Sequence, residues 1–172
     1  MVRRLAILAA MGELIWSVAH TRPRREKKLK QYCGQEGISA VLPCYNAVHR
    51  YARKTVVFEK PLFPGYLFLQ LSERQRRKIS QREEVARLLA VEDQELFAHQ
   101  LGEILTALDS DVEVFLAPDI GAGTRVKVKS GPLRGMEGFV EERYGLTTVL
   151  LRLDFIGQAA AVKLQADELE PI

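Results

Sequence analysis

The sequence predicts an α+β domain followed by a small all-β module, and three observations predict it. Through residue 110, apolar strand-like runs interleave with stretches of helical period. From Ile120 onward there are only short strand-like runs separated by Gly-containing turns, the pattern of a small closed barrel that leaves no exposed edge. The charge also changes sign between the two. Residues 1–110 hold 18 Lys/Arg against 12 Asp/Glu, a net of +6, and residues 111–172 hold 7 against 10, a net of −3. A basic front and an acidic back imply two modules with different partners, with a polyanion expected for the first. The expected division is an extension over 1–14, a first domain over 15–108, a linker over 109–119 and a barrel over 120–172.

Arg3 and Arg4 before Leu5–Met11 outline a very short signal peptide, but Gly12-Glu13 interrupts the run at once. A loosely helical extension is the expected reading, with Met11 an alternative start. Ile15–His20 reads as a strand with Trp16, Val18 and His20 on one face. Pro23 suits the first turn of a helix running to about Glu36, with Leu29, Tyr32 and Cys33 as its apolar stripe and Gly37 as its stop. The rest of that helix is Arg24, Arg25, Lys27, Lys28 and Lys30, with Glu26 the one early acid. A solvated face usually alternates signs. Like charges four apart, such as Arg24 and Lys28, repel mildly, and a polyanion would relieve the repulsion.

A second strand is expected from Ile38 to Pro43, then a polar, basic hairpin loop from Tyr45 to Lys54. Thr55–Glu59 and Gly65–Leu71 are expected to pair across the stiff corner Pro61-Leu62-Phe63-Pro64-Gly65. There two prolines fix φ and remove two donors, and a glycine permits a tight turn. Phe63, Tyr66 and Phe68 gather at this corner as an aromatic platform. Apolar groups lie on both faces of the strand after it, so either face could be the core. Ser72 is a candidate N-cap for a short helix, and Arg82 lies in the loop beyond it. A strand near Val85–Val91 and a helix over Gln94–Leu108 complete the first domain.

The chain has 47% apolar and 27% charged residues, and no segment reaches the ~18 apolar residues of a membrane span. Cys33 and Cys44 are not a CxxC pair and are expected to be buried free thiols. His20, His49 and His99 show no metal spacing, so no metal or cofactor is expected. Gly131-Pro132-Leu133-Arg134-Gly135 lacks the lysine and hydroxyl of a phosphate loop, and no nucleophile–base pair is recognisable, which argues against an enzyme.

With both halves in hand, the sequence resembles the NusG family of transcription elongation factors. The resemblance covers about residues 15–172. In the front half it rests on the Trp16 strand, the helix to Glu36, Pro43 and Pro61-Leu62-Phe63-Pro64-Gly65-Tyr66-Leu67-Phe68. In the back half it rests on a KOW pattern, namely Val126, Val128, Gly131, Pro132, Gly135, Gly138 and Val140, followed by Leu153–Gly157. It implies an NGN-type domain and a five-stranded, SH3-like barrel. It implies that the first domain binds the clamp helices of RNA polymerase through Phe63, Tyr66, Phe68 and Trp16, keeps the clamp closed and suppresses pausing. Arg22, Arg24, Arg25, Lys27, Lys28 and Arg82 would face nucleic acid, including the non-template DNA strand. The barrel would recruit a small-subunit ribosomal protein or a termination helicase. A cytoplasmic monomer is expected.

Two departures bear on the branch. Family members usually have an aromatic where Ser17 stands. Lys60-Pro61-Leu62 resembles operon-specific, RfaH-like paralogues, whereas the Gly-rich turns resemble the general factor. In RfaH-like proteins the C-terminal module can refold into a helical hairpin. The helix formers Ala159–Ala161 and Leu164–Ala166 would suit that, and the strand formers at 125–153 favour a barrel. A ribosome- or RNA-binding KOW protein is a further alternative.

Overall fold

The computed structural model describes residues 13–110, 112–118, 123–143, 146–164 and 168–172. The expected extension through Gly12, with its alternative start at Met11, lies outside them, as do Asp111 and Asp119 of the expected linker and Gln165 and Ala166 of the tail. The chain forms two compact units: residues up to Leu42 with Phe63–Ala98, and Pro43–Leu62 with His99–Ile172.

The first unit is built on a four-stranded antiparallel sheet in the order β2-β5-β1-β6, comprising β1 (Ile15–Thr21), β2 (Ser39–Val41), β5 (Tyr66–Leu71) and β6 (Val85–Ala90). Helix α1 (Glu26–Gln35) packs on β2 and β5, and α2 (Glu73–Ser80) on β5 and β6. Alternation along β1 and β5 sends Ser17, Ala19, Leu67, Leu69 and Leu71 to one face, all of them buried. On that face Arg76 Nη1 of α2 donates to Ser17 Oγ at 3.3 Å. The opposite face carries Trp16, Val18 and Phe68. It is covered by Phe97 of α3 (Gln94–Asp109), whose ring lies 5.6 Å from both Trp16 and Phe68. Both faces of β5 are therefore core.

Local chemistry sets the element ends. Ser72 and Gln75 form a reciprocal capping box at the start of α2, which satisfies two donors that the first helical turn leaves open. Gln94 ties α3 to the sheet: its Oε1 accepts from Trp16 N at 2.6 Å, and its Nε2 donates to the Trp16 and Val91 carbonyls. At the end of α1, Ile38 N donates to Cys33 O and Gly37 N to Gly34 O, closing the helix as expected.

The second unit contains the antiparallel hairpin β3 (Cys44–Tyr51) and β4 (Lys54–Pro61), which pair with each other along their full length. Two expectations are corrected here. Tyr45–Lys54 is not a loop: only Ala52-Arg53 turn, between eight-residue strands. Nor does β4 pair with β5, because β5 is already flanked by β1 and β2.

The same unit holds a six-stranded antiparallel sheet in the order β12-β8-β9-β10-β11-β7. Its strands are β7 (Val114–Pro118), β8 (Thr124–Val128), β9 (Glu137–Arg143), β10 (Leu146–Leu153), β11 (Gln158–Lys163) and β12 (Leu169–Pro171). Among the described residues no ladder joins β7 to β12. Val114–Pro118, expected as linker, is an edge strand along β11, with proline tolerated at its end. The alanines of 159–161 lie fully buried in β11, as strand rather than helix.

The KOW residues are structural. Val126 and Val128 are buried. Gly131 and Pro132 open the turn that Gly135 closes, with Gly135 N donating to Val128 O and Lys129 N to Glu168 O, both at 2.8 Å. Gly138 permits a close approach of two strands: a Cβ there would sit 2.7 Å from Leu150 O and 2.5 Å from a Val149 methyl. Val140, half-buried, pairs with Val149.

Candidate functional site

The proline corner is held from three directions. Leu62 N donates to Pro43 O at 2.8 Å, within the second unit. In the first unit, Thr21 N donates to Gly65 O at 2.8 Å, and Gly65 N donates to the carboxylate of Glu26 at 2.7 Å. Gly65 has φ +87°, a conformation open to glycine and strained for other residues. Glu26 is buried at the first turn of α1, where a carboxylate also complements the helix dipole.

The aromatic platform expected here is corrected in two of its members. Phe63 and Phe68 are buried, with rings 6.1 Å apart in edge contact, and Phe97 packs on Phe68. The reason is the second layer: α3 covers the face that the sequence left open. Tyr66 and Trp16 are half-buried and keep part of their surface in solvent. Tyr66 stacks on His20, ring centroids 5.2 Å apart and 23° from parallel. His20 is exposed and stands in cross-strand register with Tyr66 on one side and Arg87 on the other. A row Arg87–His20–Tyr66 thus crosses three strands on the Trp16–Phe68 face. Sequence reasoning missed His20 and Arg87, because a lone histidine and a lone arginine become a row only when β1 is paired with both neighbours.

The basic residues divide into two groups. Arg22, Arg24, Arg25 and Lys27 are exposed. Arg22 to Arg25 form a tight turn closed by Arg25 N donating to Arg22 O at 3.1 Å, with Pro23 second and Arg24 third at φ +61°. A type II turn has this pattern, with glycine normally at the third position. Arginine there is strained, and strain of this kind collects at functional sites.

Lys28 and Arg82 are a correction, since both are engaged by acids. Glu84 is fully buried; Arg82 donates to both its oxygens at 3.1 Å, and Lys28 Nζ lies 3.1 Å from Oε1. Lys28 also pairs with Glu83 at 2.7 Å. The Arg82 guanidinium lies 4.1 Å over the Tyr32 ring. Burial pushes the Glu84 carboxyl up, but the hydrogen bonds from Arg82, the backbone and Lys28 outweigh it and hold the group at about 2. Hydrogen bonds to Glu83 and Glu84 raise Lys28, and the bond to Glu84 raises Arg82. These two cations hold the loop before β6 to α1.

Cys33 is buried, and burial pushes its thiol up to about 11, which makes it a packing residue; Cys44 is half-buried, less than expected. Among the described residues no group of three or more His, Cys, Asp or Glu is placed to hold a metal ion. No described helix is long and apolar enough to cross a membrane.

Comparison with known proteins places this geometry. Residues 14–103 match the family model described as "NusG: Transcription termination factor nusG". No match to a curated protein was found. A solved structure described as "Domain interaction in Thermotoga maritima NusG" is similar over 93% of this chain and 98% of that one, with a TM-score of 0.53 and 20% identity, a likeness of fold. The family match spans more than half of the 172 residues, so the chain belongs to the NusG family of non-enzymatic transcription factors.

Proposed function

We propose that this protein is a transcription elongation factor and antiterminator that binds RNA polymerase through its N-terminal domain. The observation that carries the reading is the half-exposed Tyr66–His20 stack with Trp16 on one sheet face, backed by the buried Phe63, Phe68 and Phe97 rings. A rigid aromatic surface of this kind suits the tips of the polymerase clamp helices, because aromatic anchors bury large area at low entropy cost. In this reading Tyr66 and Trp16 make the contact, and Phe63 and Phe68 hold it from beneath. Bound there, the domain keeps the clamp closed and suppresses pausing or termination. The exposed Arg22, Arg24, Arg25 and Lys27 face the non-template DNA strand, with a contribution that is salt-dependent and largely indifferent to sequence.

The remaining assignments belong to the same proposal. The functional domains are 15–108 and 120–172, and the KOW barrel recruits a small-subunit ribosomal protein or a termination helicase. The protein works as a cytoplasmic monomer at particular operons, a preference supported by Lys60-Pro61-Leu62 before Phe63. Pull-down with polymerase tests the interface. Tyr66→Ala is expected to lower recovery at least about tenfold with the fold intact. Equal recovery sinks the interface, and no recovery of wild type under any condition sinks the polymerase reading. A genome-wide occupancy map tests the branch: signal on every transcription unit means a general factor instead.

A further inference from the structure

The β3–β4 hairpin has two unlike faces. Residues directly opposite in an antiparallel pair share a face, and alternate residues along a strand change face. The register therefore puts Tyr45, His49, Tyr51, Lys54, Phe58 and Lys60 on one side, together with Ala47 and Val56. Contacts agree with that placement: the His49 and Phe58 rings meet edge to face at 5.4 Å, and Lys60 Nζ reaches His49 Nε2 at 3.1 Å. The hairpin's one acid, Glu59, pairs with Asn46 on the other side. Tyr51 is 55% exposed and Phe58 42%, on a two-stranded ribbon that pairs with no further strand among the described residues. Arg53 stands in the turn at its tip.

Apolar surface gathered on one exposed face marks an interaction site, and here the face gathers aromatic rings, which suit a ligand with flat apolar faces. On this face they alternate with cations and with no acid. A neutral apolar partner would leave the lysines unused, and a partner bearing only carboxylates would leave the rings unused. A single strand of nucleic acid has both features, a phosphate every nucleotide and a base π-face beside it. We propose that this face of the hairpin is a binding site for single-stranded nucleic acid. Tyr51 and Phe58, four residues apart along the ribbon and so separated by roughly 13 Å, stack on two different, non-adjacent bases, and Lys54, Lys60 and Arg53 lie along the phosphates. Stacking and phosphate contact tolerate any base, so recognition is largely indifferent to sequence and to the sugar.

The test uses the full chain without polymerase and fluorescein-labelled oligo(dT) and oligo(U) of ~15 nucleotides, read by anisotropy. Both are expected to bind with similar affinity. Tyr51→Ala/Phe58→Ala is expected to weaken both about tenfold or more, with far-UV circular dichroism unchanged. Lys54→Gln/Lys60→Gln is expected to reduce the log–log salt slope by about 1.4, ~0.7 for each phosphate lost. Val48→Ala/Val57→Ala, on the opposite face, is expected to bind like wild type. Amide shift changes in the unmodified protein give a second readout, and clustering on residues 45–60 supports the site. Several results overturn it: no binding by wild type, wild-type affinity in the Tyr51/Phe58 variant, or shifts confined to residues 22–28. Equally tight capture of oligo-glutamate that is weakened by the same variant also overturns it, in favour of an acidic peptide.

Discussion

Phe63 and Phe68 are 1% and 0% exposed, whereas Tyr51 and Phe58, a few residues upstream, stand 55% and 42% exposed. The residue types are the same and the strands are comparable in length. The difference lies in what surrounds them. β5 is an interior strand with β1 and β2 beside it and Phe97 of α3 over its Phe68 face, so Phe68 becomes core and Phe63, just before the strand, packs edge-on against it. Among the described residues, β3 and β4 pair only with each other. Aromatic residues in a strand thus end in the core or on the exposed surface according to the layers above them.

Substitutions can break or sharpen that contrast, and the largest effect is expected at the centre of the covered sheet. Phe68→Ala should cost about 3–5 kcal/mol, read from chemical denaturation, because it opens a cavity among Phe63, Phe97 and β1. A loss below about 1 kcal/mol would mean the ring is not core. Arg82→Ala follows, at about 1.5–3 kcal/mol, since it leaves a buried carboxylate without its principal donor. The basic residues then show the contrast of the aromatic ones, one kind bound inside and another exposed. Glu84 adds a pH signature. Its folded value of about 2 lies below the free carboxyl's 4.5, so its stabilisation is complete above about pH 4.5 and is lost as pH falls toward 2. Wild type should lose stability across that window more steeply than Glu84→Gln.

Arg24→Gly should be smaller and opposite in sign. Removing strain at φ +61° should stabilise the fold by about 1 kcal/mol while weakening nucleic-acid engagement. An unchanged or lowered stability would show that the turn stores no strain. The smallest effect is expected for Phe58→Ala, within about 0.5 kcal/mol, because an exposed ring leaves no cavity.

Much of this architecture was legible from local pattern. The Ser72 cap, the Gly37 stop, the period of α3 and the Val126–Val128 alternation each depend on neighbours in sequence, and each is found where the residues imply. Pairing partners were not legible. Thr55–Glu59 and Gly65–Leu71 read as a hairpin because they are adjacent strands, but β4 finds its partner in the basic stretch before it. Side-chain fate failed for the same reason. Nothing in Phe68 announces that Phe97, some thirty residues on, will pack against it, and nothing in Arg82 announces Glu84 as a buried acceptor. The Arg87–His20–Tyr66 row has no trace in the linear sequence, since each member lies on a different strand.

Glu26 is both the first residue of α1 and the acceptor of the Gly65 N–H. Thr21 closes the linkage from β1 through Gly65 O. Direct hydrogen bonds therefore tie Gly65, beside Tyr66, to the start of the basic helix and to the end of β1. A partner that grips Tyr66 also sets the angle at which Arg22, Arg24 and Arg25 present their charges. If Tyr66 docks a partner, the same linkage would align the cations with it.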